Sequence, residues 1–242
     1  MADPIVEQWR SRLKNISSDL MHLAHLDDVF WQVQAVVDQS QVAQRDGTFI
    51  KWMGDCYTHA IVTGVRRLVD RTKGTDSLFR LLEEMGRKSA TMLTRQSFRE
   101  TWGEDQAERC DNCFDLLGAN GSDHIPASVI DGKLKELHNA TVAVVDFANK
   151  AVTHRGLKRS ILLKTYRQIR ESIVGVFLVA QWCETLLTCG TPANPVPIMQ
   201  GNWLVVFEGP WLESAIHVPK YRHLDELLRE AIDRSEGRST AG

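Results

Sequence analysis

The sequence predicts an all-α fold, a bundle of long helices with a small C-terminal appendage. Apolar residues recur at three- and four-residue spacing from near the N-terminus to about Cys189. Gly47, Gly74 and Gly156 fall where those periodic stretches end. Beyond Cys189 the composition changes: "GTPANPVP" holds three prolines and cannot continue a helix. The division expected is a helical bundle over 1–189 and an appendage over 190–242.

Taken in order, the first helix should open at Pro4, whose fixed φ suits a first turn, and run to about Ala43. A second should run from Phe49 to Lys73 and stop at Gly74. "TDSLFRLLEEM" predicts a third, capped by Thr75 or Asp76, with Leu78, Leu81 and Leu82 on one face. Shorter helical segments are expected near Thr91–Trp102 and Glu104–Leu117. "GANGSDHIP" reads as a loop. Pro126 then opens a helix whose buried stripe is Leu134, Leu137, Thr141, Val144, Val145, Ala148 and Val152, ending at Gly156. The last long helix should cover Leu157–Leu187. "NWLVVFEGPW" and "SAIHV" read as a short strand pair, and "YRHLDELLREAID" as a final amphipathic helix. No internal repeat or low-complexity segment interrupts this order.

Composition narrows the function classes. The chain has 242 residues, 43% hydrophobic and 25% charged, enough to bury a core without metals or disulfides. Its net charge is −2, so no global field favours nucleic acid or a membrane surface, and any basic surface must be local. Five cysteines without a secretory leader point to a reducing cytoplasm, where the sequons at Asn15, Asn120 and Asn139 are chance matches. The most apolar run, Ser172 to Trp182, is too short for a bilayer and reads as a buried helix.

The candidate site lies in "DFANKAVTHRGLKR", Asp146 to Arg159. On a helix Asp146, Lys150 and His154 form one row, set apart from the buried stripe through Ala148 and Val152. His154 falls in the last turn, where the negative end of the helix dipole favours a protonated imidazole. Lys150, Arg155, Lys158, Arg159, Lys164, Arg167 and Arg170 follow closely, offset locally by Asp146 and Glu171. Such a region suits a phosphate backbone. The same residues also suit an ordinary helix end and a solvated face, so the pattern alone leaves both readings open.

"ANKAVTHRG" resembles the signature of the HEPN superfamily (higher eukaryotes and prokaryotes nucleotide-binding), helical domains of toxins and antiviral proteins. "GVRRLVDRTKGTDSLFRLL", Gly64 to Leu82, resembles the earlier helix pair of its abortive-infection branch, the Abi U-two type. The resemblance covers roughly Trp9 to Leu187. It implies a bundle of four or five helices, a homodimer with one composite cleft, and metal-independent cleavage of RNA. The RNA 2′-hydroxyl attacks the adjacent phosphate, a histidine moves the proton, and an arginine steadies the developing charge. His154 matches the motif histidine and Asn149 the polar residue near the arginine. The positions for the arginine itself hold Phe147, Ala148 and Asn149. Lys150, the nearest cation on that face, offers a point charge rather than a planar fork.

The expected catalytic set is therefore His154, Asn149 and Lys150, with Arg155, Lys158, Arg159, Lys164 and Arg167 binding RNA, and no metal or other cofactor. The expected partners are a second copy, RNA, and a cognate antitoxin or defence partner, with no membrane. Two other readings stay open: a non-catalytic helical dimerisation or protein-interaction module, and recognition of a small nucleotide.

Three weaker signals accompany this one. "CDNC", Cys110 to Cys113, has metal-ligand spacing but lacks a second pair, although His124 and His138 could contribute; we read two half-buried thiols. "HLAH", His22 to His25, reads as helix histidines. Arg66, Arg67, Asp70 and Arg71 read as an intrahelical ion-pair surface with Asp70 anchoring between helices, the alternative being a second basic contribution to the same cleft. Trp203 and Trp211 should pack the appendage onto the helices.

Overall fold

The computed structural model describes residues 3–39, 47–102, 106–149, 166–190, 203–207 and 224–235. Its helices are α1 (Pro4–Gln39), α2 (Gly47–Leu68), α3 (Leu78–Met92), α4 (Arg95–Trp102), α5 (Ala107–Phe114), α6 (Ala127–Phe147), α7 (Tyr166–Thr188) and α8 (Leu224–Ser235). The described residues contain no strand, and their β pairing is an isolated bridge between Thr94 and His124. The all-α expectation holds.

Helix α1 begins where Pro4 predicted, with Asp3 Oδ1 accepting from the Ile5 N–H at 2.7 Å. That carboxylate satisfies one of the donors a helix start leaves open. Trp9, Leu13, Ile16, Leu20 and Leu23 form its buried seam at alternating four- and three-residue steps, the spacing that keeps one helical face inward.

Four helices form the bundle. Tyr57 of α2 meets Asp27 of α1, and Arg67 meets Asp19, so these helices run antiparallel. Arg10 donates through Nε to the Leu187 carbonyl, and Arg170 to Asp27, so α7 runs antiparallel to α1. Lys133 lies over Trp182 while the Ser172 hydroxyl donates to the Ala140 carbonyl, so α6 runs antiparallel to α7. A Cβ at Gly175 would collide with the Ala140 methyl, so glycine lets the α6 and α7 backbones approach. Helix α3 packs against α6 and α1, with Leu78, Leu81, Leu82 and Met85 fully buried.

Boundaries depart from expectation at several points. The first two helices end at Gln39 and Leu68, and 40–46 lie outside the described residues. The cap of α3 is Ser77 rather than Thr75 or Asp76: its hydroxyl accepts from the Arg80 N–H at 3.2 Å. Between α5 and α6 the chain makes a π-helical turn, Asp115–Ala119, in which Gly118 takes φ +108. Arg95 fixes this turn by donating to Asp115 Oδ1 at 2.6 Å and the Ser122 carbonyl at 3.0 Å.

On α6 the stripe appears as expected at Leu137, Thr141, Val144 and Ala148, all buried, with Leu134 and Val145 half-buried. Val152 and Gly156 lie outside the described residues, as does 157–165 of the last expected helix.

Helix α7 corrects the length argument. It has 23 residues, with a mean hydropathy of 1.2 over its most apolar window, so it is long and apolar enough to cross a membrane. Over half of that window is buried between the neighbouring helices, which is the environment of a core helix. Trp203–Phe207 forms a 3₁₀ helix where a strand was expected; the rest of the hairpin, with Trp211, lies outside the described residues. β-Branched and aromatic residues favour strands by packing on a paired sheet, and no strand pairs with this segment among the described residues. Trp203 does attach the appendage to the bundle, donating Nε1–H to Gln32 Oε1 at 2.7 Å, and Leu228 of α8 joins the core.

Candidate functional site

The turn between α2 and α3 is fixed by Asp70. Its Oδ1 accepts from the Thr72 N–H at 2.9 Å and the Thr72 hydroxyl at 2.8 Å, and the Ser77 hydroxyl donates to its carbonyl at 2.5 Å. The Thr72 N–H, with Arg66 nearby, holds the Asp70 carboxyl below the usual carboxylate range. The expected ion-pair row along the helix is thereby corrected. Asp70 closes the turn, and Arg67 reaches across to Asp19 at 2.5 Å.

This turn places Arg71 against α6. Its guanidinium carbon sits 4.4 Å from the centre of the Phe79 ring, and Nη2 lies 3.3 Å from Nδ1 of His138. A guanidinium is always a donor, so Nδ1 is the acceptor and the His138 proton resides on Nε2 in this arrangement. No carboxylate lies within ion-pair distance of Arg71 among the described residues. The pair sits in a cleft of about 280 Å³ that also takes in Val69, Thr141, Asp146 and Asn149.

Asn149, from the candidate catalytic set, thus lines an open cleft while its neighbour Ala148 is buried. Asp146 is exposed, on the expected face of α6. Lys150, His154, Arg155, Lys158, Arg159 and Lys164 lie outside the described residues. Arg167 is exposed and its Nε pairs with Glu171 at 2.7 Å.

Arg170 departs from the basic surface expected of it. It is buried, with Nε donating to Asp27 Oδ2 at 3.0 Å, and Tyr57 donates its hydroxyl to Asp27 Oδ1 at 2.6 Å. Burial pushes the Asp27 carboxyl up, against the pull of Arg170 and the Tyr57 hydrogen bond. Burial and the neighbouring Asp27 charge likewise push the Tyr57 phenol up.

Two larger hollows offer less free chemistry. The groove of about 700 Å³ beside Phe98 and Phe114 includes Arg10, whose guanidinium already binds the Leu187 carbonyl, Glu7 and Thr101. A second hollow of about 520 Å³ holds Arg95 and Arg99, both paired with Asp111, and Arg95 also with Asp115. Each cation there is already neutralised.

No group of three His, Cys, Asp or Glu side chains could hold a metal ion among the described residues. Cys110 is buried and Cys113 half-buried, while His138 is engaged by Arg71. His22 is exposed, and Asp27, which follows "HLAH", is committed to Arg170 and Tyr57.

The sequence reading missed the pairing of Arg71 with His138, which are 67 residues apart. The available signal was Arg71 itself, weighed as a second basic contribution to the cleft. No protein-family model, curated protein or solved structure matches the chain.

Proposed function

We propose that this is a HEPN-like, RNA-binding protein of the abortive-infection and toxin–antitoxin type, acting in the cytoplasm as a homodimer. The observation that carries the reading is that Asn149, at the entry to the basic segment, is half-buried and lines the cleft that also holds Arg71 and His138. From His138 to Asn149 is 11 residues, about 16 Å along a helix at 1.5 Å per residue. The basic residues Lys150, Arg155, Lys158, Arg159, Lys164 and Arg167 follow Asn149 in the sequence. Electrostatic binding of this kind needs clustered cations rather than net positive charge.

Cleavage at this site would use His154 as acid and base, with Lys150 and Asn149 steadying the phosphate. The motif arginine is absent, so binding is the part of the reading that does not depend on it. An antitoxin or defence protein would be the regulatory partner.

The test is incubation of the purified protein with labelled single-stranded RNA in EDTA. Metal-independent cleavage lost in His154→Ala supports an endoribonuclease. Binding without cleavage, with a salt slope that falls when Lys158 and Arg159 are neutralised, supports an RNA-binding protein. Absence of binding at low salt refutes both and leaves a helical dimerisation or protein-interaction module.

A further inference from the structure

We infer that Arg71 and His138 form a phosphate-binding subsite at the end of the cleft away from Asn149. This deepens the RNA-binding reading and rests on it for the identity of the ligand, a phosphodiester of an RNA backbone. The geometry of the pair is the ground. The guanidinium lies over the Phe79 ring, and an aromatic face attracts a cation without neutralising it. One guanidinium nitrogen is spent on His138 Nδ1, leaving the other N–H groups of the fork for an anion. The same hydrogen bond turns the protonated His138 Nε2 away from Arg71, making it a second, separate donor. A fork from the α2–α3 turn and an imidazole N–H from α6 together suit the oxygens of a phosphodiester backbone.

No carboxylate pairs with Arg71 among the described residues. The ion pairs of the neighbouring arginines, Arg67 with Asp19 and Arg80 with Glu83, use carboxylates that Arg71 does not share. Asp70, beside it in sequence, keeps its charge but turns its carboxylate to the Thr72 amide and hydroxyl. Asp146 lines the same cleft eight residues beyond His138, about 12 Å along α6. That exceeds the screening length of about 8 Å at physiological salt, so its repulsion of an anion at His138 is small. Both side chains are exposed, so an anion can reach them without unfolding.

The experiment combines RNA binding with a direct probe of the imidazole. Fluorescence anisotropy with a labelled single-stranded RNA is measured for the full chain, Arg71→Gln and His138→Gln across a salt series. Arg71→Gln should weaken binding about tenfold and lower the salt slope by about one. Arg71→Lys should restore the slope but less of the affinity, because an ammonium lacks the fork. In parallel, the His138 ring resonances are followed by NMR during titration with inorganic phosphate, and they should shift in the wild type and not in Arg71→Gln. Wild-type RNA affinity and slope in both glutamine variants overturn the subsite while leaving the RNA reading intact. A protein that binds no RNA yet shows the phosphate-dependent shift keeps the anion site and loses the RNA reading. Static His138 resonances in phosphate overturn the subsite outright.

Discussion

Arg170 of α7 donates from Nε to Oδ2 of Asp27 on α1 across 3.0 Å, with the aspartate side chain fully buried. The guanidinium also lies over Trp31, 5.2 Å from the ring centre, and Tyr57 occupies the other carboxylate oxygen. Three helices therefore meet at one buried ion pair. Removing one member of such a pair leaves an uncompensated charge, whereas replacing both with apolar groups removes the desolvation cost along with the attraction.

Arg170→Met should therefore cost about 3–5 kcal/mol, and Asp27→Leu in the Arg170→Met background should recover most of it. Urea unfolding of the two single variants and the double variant closes this cycle. A double variant as unstable as Arg170→Met would show that the pair is not coupled.

Helices α6 and α7 are in close contact where Gly175 faces Ala140. Gly175→Ala should destabilise the fold by about 1–3 kcal/mol through overpacking. The added methyl has no space unless Ala140 yields, so Ala140→Gly combined with Gly175→Ala should regain part of the loss. Thermal unfolding checks both variants, and an unchanged Tm in Gly175→Ala would refute the close contact.

Acid should destabilise the protein through its surface carboxylates. Arg95 and the Gly121 N–H hold Asp115 low, Arg99 holds Asp111 low, and the Thr72 N–H holds Asp70 low. Their folded values lie below the unfolded ones, so below about pH 4 the unfolded chain takes up protons first. Stability is then present above that range and lost as pH falls through the folded values. Asp27 has the opposite sign. Its raised folded value makes its contribution greatest below about pH 4 and lost as pH rises. Asp115→Asn should flatten the acid limb of a stability–pH curve, and Asp27→Asn should remove the opposing fall at higher pH. Unchanged curves would contradict these assignments.

Thiol labelling should follow burial. Cys56 is exposed, whereas Cys110 and Cys183 are buried. Burial pushes the Cys183 thiol up to about 12 and the half-buried Cys189 to about 12, so neither supplies thiolate near neutral pH. Mass spectrometry after brief alkylation of native protein should find Cys56 modified first, and Cys110 and Cys183 only after unfolding. Early modification of Cys183 would contradict its place in the core.

Much of the helical architecture was legible because it rests on local rules. Pro4 set the start of α1, Pro126 the start of α6, and Leu78, Leu81 and Leu82 the inward face of α3. The cap at Ser77 escaped because three adjacent polar residues, Thr75, Asp76 and Ser77, satisfy the same rule, and the hydrogen bonds of the turn chose among them. The strand expected at Trp203–Phe207 failed for a related reason: strand formation needs a partner, which local composition does not name.

The candidate site divides in the same way. Periodicity alone determined that Asp146 lies off the buried stripe of α6, because side-chain direction on a helix is fixed by position. Only the tertiary structure decided which cations face outward. Arg170 belongs to the basic run by sequence yet serves the core, because Asp27 meets it 143 residues away. Arg71 looks like one charge among several on α2, yet the α2–α3 turn delivers it to His138 on a different helix. Helical order follows from neighbours along the chain, whereas pairing of charges depends on which helices pack together.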